Sequence, residues 1–191
     1  MDVVLIGASD RSSLWRHGSL EESEFESFVE EYARFLAERF DNVIVTPDDG
    51  VYTDVALRFG DLKGKRPVGY YPDKDTYYGY DHLKPNFPKY DIRPIGGDWY
   101  TLNAELTKQA KTVISLGWAP GVMIEGCFIK YHQKYGAYKD PSLKGIHWFI
   151  DSRCIDQRLP KGVEEQIGNI HYFNSLRELG SLLDENKEKL E

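Results

Sequence analysis

The segment Thr112–Tyr131, TVISLGWAPGVMIEGCFIKY, constrains the fold more than any other stretch of the chain. Thr112–Leu116 is a short run of β-branched and apolar residues, as expected of a strand buried on both faces. A turn follows at once, Gly117-Trp118-Ala119-Pro120-Gly121, and then Ile124, Cys127, Phe128 and Tyr131 recur at helical spacing. A buried strand that turns sharply into a helix is the repeating unit of open parallel sheets, where ligands sit beyond the carboxyl ends of the strands. Free N–H groups and the positive end of the helix dipole favour an anion at such a start. Gly117, Trp118, Pro120, Gly121 and Val122 are therefore candidate phosphate-binding residues. Glu125 reads as a residue of the first helical turn, close enough to act on a bound molecule. There the dipole favours its charged form, and a glutamate at a cleft is not expected to be a core element.

The rest of the chain repeats the same alternation. Val3–Ile6 reads as a first strand, and the Gly7-Ala8-Ser9-Asp10-Arg11 turn after it makes Gly7 and Ser9 candidate phosphate or ribose contacts, with Arg11 as counter-charge. The alternative for this turn is a plain polar loop. Glu21–Phe40 is an amphipathic helix with Ser19 as N-cap and Glu22 at the capping-box position. Asn42–Thr46 is a strand that ends in Pro47-Asp48-Asp49-Gly50 before a helical Val51–Phe59, so Gly50 joins the candidates. Pro67–Tyr71 and Asp91–Ile95 are further strands. Gly96-Gly97-Asp98 precedes the helix Trp99–Ala110, which adds Gly97. Between Pro72 and Tyr90 lies a long segment rich in Tyr and Pro, read as a lid over a base or as a subunit contact. Strands at Gly145–Asp151 and Gly168–Phe173 and a last helix capped by Ser175 complete the order. The pattern predicts one α/β domain over residues 1–191. Its expected architecture is a three-layer Rossmann-like parallel sheet of about six to seven strands, with helices on both faces.

Composition narrows the partners. The net charge of −7 argues against nucleic acid as the main partner. No run of apolar residues reaches the length of a membrane span, and none resembles a signal peptide, so no membrane is expected. The two cysteines, Cys127 and Cys154, form no CxxC pair, which suits a reduced, cytoplasmic protein. The five histidines show no metal-ligand spacing, and no metal or cofactor is expected. His147 and His171 fall inside strands and read as core or edge residues. GxGxxG, GxxxxGK[ST] and GxSxG are all missing. What remains is an anion cradle at strand ends with a carboxylate beside it. That arrangement suits a nucleotide or nucleoside-type small molecule, and a carboxylate next to a ribose suits chemistry at the N-glycosidic bond.

Gln109–Glu125, QAKTVISLGWAPGVMIE, resembles the PGGxGTxxE region of the LONELY GUY-type Rossmann superfamily, long called lysine decarboxylase-like. Gly121 falls on the last motif glycine and Glu125 on the motif glutamate. The motif Pro-Gly-Gly is Gly117-Trp118-Ala119 here, its Thr is Val122, and Leu102 stands where the family has a catalytic arginine. Arg11, Arg58 and Arg93 are the arginines available to replace it. The resemblance implies a Rossmann-like sheet and a homodimer. It also implies hydrolysis of a nucleoside 5′-monophosphate to free base and ribose 5-phosphate, with Glu125 as the catalytic residue. A non-catalytic nucleotide-binding or sensing module and a nucleoside deoxyribosyltransferase-like enzyme are the alternatives.

Overall fold

The computed structural model describes residues 1–190. Seven strands form one sheet: β1 (Asp2–Gly7), β2 (Asn42–Val45), β3 (Val68–Tyr71), β4 (Asp91–Pro94), β5 (Thr112–Leu116), β6 (His147–Asp151) and β7 (Ile170–Phe173). Their order is β4-β3-β2-β1-β5-β6-β7, and every pairing is parallel. The chain steps outward from β1 to β4, then crosses back to lay β5 against the free side of β1. The direction of winding reverses between β1 and β5, which leaves a crevice at their carboxyl ends.

Among the described residues eight α-helices accompany the sheet: α1 (Ser13–Arg16), α2 (Phe25–Arg39), α3 (Val51–Lys63), α4 (Trp99–Leu106), α5 (Pro120–Lys134), α6 (Lys161–Glu164), α7 (Leu176–Glu185) and α8 (Lys187–Leu190). Two cores result. Val3, Leu5, Val43, Val45, Ile114, Leu116 and Phe149 face α2, α3 and α7. Val4, Ile6, Ile44, Val113, Trp148 and Ile150 face α4 and α5. Successive strand residues thus feed opposite layers, which is why the strands read as unbroken apolar runs. This is the three-layer Rossmann-like architecture that the alternation predicts. No helix of the described residues is long and apolar enough to cross a membrane.

Several boundaries differ from the sequence reading for physical reasons. Ser19 does not cap α2. Its N–H is taken by the Arg153 carbonyl at 2.8 Å, and a short 3₁₀ turn at Glu22–Glu24 opens the helix, with the Glu24 carboxylate accepting the Glu21 N–H at 2.9 Å. The last helix divides at Asn186, while Ser175 does cap α7 through the Glu178 N–H. The tyrosine-rich segment is packed rather than open. Asp81–Lys89 coils as a 3₁₀ helix, Leu83 is fully buried, and Phe87 and Tyr80 lie on Tyr71 with ring centroids 4.8 and 5.1 Å away. Asp75 fastens its start: one carboxylate oxygen accepts the N–H groups of Tyr77, Tyr78 and Gly79, and the other accepts that of Trp99.

Several buried polar groups of the sheet are hydrogen-bonded. Ser115 accepts the Trp148 indole N–H at 2.6 Å. His147 Nδ1 lies 2.9 Å from His171 Nε2 across β6 and β7. Asp151, fully buried at the end of β6, accepts the Tyr32 hydroxyl and pairs with the Arg153 guanidinium, so this acid holds α2 to the sheet.

Helix α5 lies so close to the sheet that a Cβ on Gly126 would stand 2.1 Å from the Trp148 ring. Overpacking by Gly126→Ala should cost about 1–3 kcal/mol, of which the ~1 kcal/mol that alanine gains over glycine in a helix is returned, for a net destabilisation of up to about 2 kcal/mol. The urea midpoint measures it; an unchanged or higher midpoint would mean that α5 can lift off Trp148 freely.

Candidate functional site

The β1 carboxyl end meets two other segments. The Ala8 N–H donates to the Leu116 carbonyl at 3.1 Å, and the Ala8 carbonyl accepts the Val51 N–H at 3.2 Å. Gly50 and Gly7 sit at these crossings. Above them opens a cavity of about 260 Å³. β1 and its turn contribute Leu5, Ile6, Gly7 and Ser9, and the end of β2 and the start of α3 contribute Thr46, Asp48 and Tyr52. α4 contributes Trp99, Asn103 and Leu106, and the start of α5 contributes Ala119 to Val122 and Glu125. The cavity occupies the crevice between β1 and β5.

Helix α5 begins with Pro120 at its first position, and no side chain caps it. Proline has no N–H to leave unpaired there. The N–H groups of Gly121 and Val122 have no acceptor inside the helix, and they open on the cavity beside the positive end of the dipole. No lysine, arginine or histidine lines this cavity.

Glu125 is in the second turn of α5, not the first, because the helix starts at Pro120. It is 8 % exposed and makes no hydrogen bond among the described residues. Burial pushes its carboxyl from 4.5 up to about 8. The expected charged, solvated glutamate is thus a neutral, buried acid. The dipole effect falls off beyond the first turn, and desolvation overrides it. Burial raises the Tyr52 hydroxyl well above its ordinary value, and the charge of Asp48 adds to this. Tyr52 therefore stays a phenol, able to donate. One Asp48 oxygen accepts the Asp49 N–H at 2.8 Å.

Of the residues chosen from the sequence, Gly7, Ser9, Pro120, Gly121, Val122 and Glu125 share this one cavity, and Gly50 supports its floor. The others lie elsewhere. Arg11 pairs through two nitrogens with Asp54 and faces an outer groove with Trp15 and Glu26. Arg58 pairs with Glu30, and Arg93 with Asp91. Gly97 packs on the Thr101 side chain at the start of α4. Gly117, at φ 95°, faces Ala8 and the Cys154 carbonyl. Trp118 turns to the far side of the loop, donates its indole N–H to the Gln157 carbonyl at 2.9 Å and lines a second cavity with His17 and Ile155. Leu102 is fully buried and lines no part of the first cavity. Trp99, Asn103 and Leu106, which do line it, were not singled out from the sequence. Their spacing, one helical face at i, i+4 and i+7, is the signal that marks them.

No family model and no curated relative matches this sequence. Solved structures do match its fold. The structural-genomics target TM1055 aligns over 96 % of this chain and 98 % of its own, at 18 % identity and TM-score 0.61. The molybdenum cofactor carrier protein of Chlamydomonas reinhardtii aligns over 98 % of both chains, at 13 % identity and TM-score 0.59. DNA processing protein A of Helicobacter pylori, described for its single-stranded DNA binding, aligns over 97 % of this chain and 81 % of its own, at 17 % identity and TM-score 0.56. At these identities the likeness establishes the Rossmann-like fold.

The buried acid has a consequence for stability. Between pH 4.5 and about 8 the folded protein keeps a Glu125 proton that the unfolded chain releases, so stability falls as pH rises through that window. Glu125→Gln removes this dependence. The variant should match wild type near pH 4.5 and exceed it near pH 8 by on the order of a few kcal/mol. Urea denaturation at both pH values measures the difference; equal values at both would show that Glu125 ionises freely in the fold.

Proposed function

We propose that the cavity binds a phosphorylated heterocyclic small molecule of nucleotide type. The phosphate lies at the α5 N-terminus, on the Gly121 and Val122 N–H groups, and the heterocycle lies toward Trp99. The observation that carries this reading is the uncapped start of α5 opening on the β1–β5 crevice beside a buried, unpartnered carboxyl group. Small-molecule binding is also the reported role of the molybdenum cofactor carrier among the structural neighbours. A nucleic acid strand suits the cavity less well, since strand binding rests on lysine and arginine contacts to successive phosphates and this lining has neither. The unpaired cysteines fit action in the cytoplasm. A homodimer belongs to the same reading.

Membership of the LONELY GUY-type superfamily, and with it hydrolysis of a nucleoside monophosphate, is the second reading. One observation favours it. A carboxyl group held protonated near neutral pH is suited to protonate the departing base. In that reaction Glu125 gives its proton to a base nitrogen as the C1′–N bond breaks, water forms the new C1′–O bond, and the proton that water loses returns to the Glu125 carboxylate. In the same reading Asp48, which also lines the cavity, offsets the developing positive charge on the ribose. The arginine that completes the family site has no counterpart in this lining, so binding is the primary conclusion.

Calorimetric titration with nucleoside monophosphates, the corresponding nucleosides and inorganic phosphate tests the binding site. Nucleotides should bind more tightly than nucleosides. A Cβ on Gly121 meets nothing within 4 Å, so Gly121→Asp should fold normally. The new carboxylate sits at the N-terminus, where it should weaken nucleotide binding by about tenfold or more while leaving the melting temperature equal or higher. Equal affinity of wild type and Gly121→Asp would move the phosphate away from α5. Base release by wild type that Glu125→Gln abolishes would support the hydrolytic reading, and binding with no base release from any substrate would exclude it.

A further inference from the structure

The cavity that Trp118 lines, of about 290 Å³, lies across the β5–α5 loop from the first and shares no residue with it. The loop is the partition: Ala119 to Val122 line the first cavity, Trp118 and Met123 the second. The chain that follows β6 adds Ile155 and Leu159, both buried apolar side chains. Trp118 has already given its indole N–H to the Gln157 carbonyl, and its ring stands edge to face with Trp148. It therefore offers a ligand ring surface and no hydrogen bond.

Polar groups in this lining are unengaged. Ser13, the first residue of α1, holds a hydroxyl that is shut off from solvent and makes no hydrogen bond. The side chains of Asp156 and Gln157 make none among the described residues, and His17 is exposed. Arg158 is in use, with its guanidinium 3.9 Å from the centre of the Tyr172 ring and 3.3 Å from the Glu164 carboxylate.

We propose that this second cavity binds a separate small molecule, an uncharged planar nitrogen heterocycle of one or two rings, with its face on Trp118 and its hydrogen-bonding edge on the Ser13 hydroxyl. The proposal rests on nothing that the first cavity holds. Volume sets the size: the cavity stands at the lower end of small-molecule sites, about 300–1,000 Å³, and suits a ring without sugar and phosphate. The free aromatic surface of Trp118 sets the shape, since ring-on-ring contact gains more than its area alone. Charge is set by the balance of Asp156 against His17 and Arg158, which leaves no excess of either sign to offset the desolvation of an ion beside Ile155 and Leu159. The edge is set by Ser13. A buried hydroxyl without a partner is a standing cost, and a ligand that bonds it after a turn about its one side-chain torsion removes that cost.

Nitrogen-15 NMR of the indole N–H groups tests this, with the Trp118 peak identified by its loss in Trp118→Phe. Nicotinamide and indazole are the probes. Each should shift the Trp118 peak saturably, with a Kd of about 1 mM or below, and leave the peak of Trp99 in the first cavity unmoved. Benzoate, an anion, and cyclohexanecarboxamide, which carries the same amide on a puckered ring, should bind roughly two- to tenfold more weakly or not at all. Ser13→Ala should keep or raise the melting temperature and weaken both probes by about two- to tenfold. Met123→Tyr, at a side chain 37 % exposed, narrows the cavity without touching the core and should abolish the shift. A Trp118 peak that does not move by about 10 mM of either probe would overturn the proposal. So would a shift that survives Met123→Tyr, or one seen at Trp99 instead, since both place the probes elsewhere. Full affinity in Ser13→Ala would overturn the role of the hydroxyl, and tighter binding of benzoate would overturn the uncharged class. Displacement of nicotinamide by a nucleoside monophosphate would merge the two cavities and overturn the separate site.

Discussion

The close approach of three main-chain segments at the end of β1 governs the molecule. A Cβ on Gly7 would stand 2.7 Å from the Leu116 carbonyl oxygen. One on Gly50 would stand 2.7 Å from the Ala8 carbonyl and 2.9 Å from the Ser9 Cα, and Gly50 also holds a φ of 149°. Side chains at these two places would force β5 and the α3 start away from β1. With glycine there, β1 and β5 stay in register to their last residues, and α3 and α5 both begin at the same edge of the sheet. The crevice is thus a product of backbone packing. Its polar groups are the main-chain N–H donors at the start of α5 together with the side chains of Ser9, Asp48, Tyr52, Asn103 and Glu125.

Two buried carboxyl groups show how far local surroundings decide chemistry in one fold. Asp75 and Glu125 are each at most 9 % exposed. Burial raises both. For Asp75 the N–H groups of Gly79, Trp99, Tyr78 and Tyr77 outweigh it, and the carboxyl lies below its ordinary range. Glu125 receives no hydrogen bond, and burial alone acts. Asp75 is therefore a fixed anion that anchors Trp99 and the tyrosine-rich segment to each other. Glu125 is a neutral acid beside open space. A carboxyl group whose bonding capacity is used up belongs to the scaffold, and one whose capacity is free is available to a ligand.

The layer order was legible because each strand carries its own evidence. Thr112–Leu116 ends where its apolar run ends, since burial on both faces sets its length. The positions of Gly121 and Glu125 beside one crevice followed from the strand–turn–helix order. What was hidden depends on residues distant in sequence. Nothing near Arg11 announces that Asp54, forty-three positions later, engages it. Trp118 lies inside the turn, but the left-handed backbone at Gly117 and the Trp148 ring at 6.0 Å direct its indole away from the anion site. Ser19 has the chemistry of a cap, yet a contact with Arg153 takes its place in the chain. Local propensity yields wherever a tertiary hydrogen bond competes for the same group.

The two border strands have a bearing on how copies of this protein meet in a crowded solution. β4 and β7 are each four residues long, and β4 ends in Pro94, with Arg93 and Asp91 paired along it. Short borders, one of them charged and proline-terminated, offer an incoming strand few free N–H and C=O groups to pair with. Open-ended growth of the sheet from molecule to molecule is thereby discouraged.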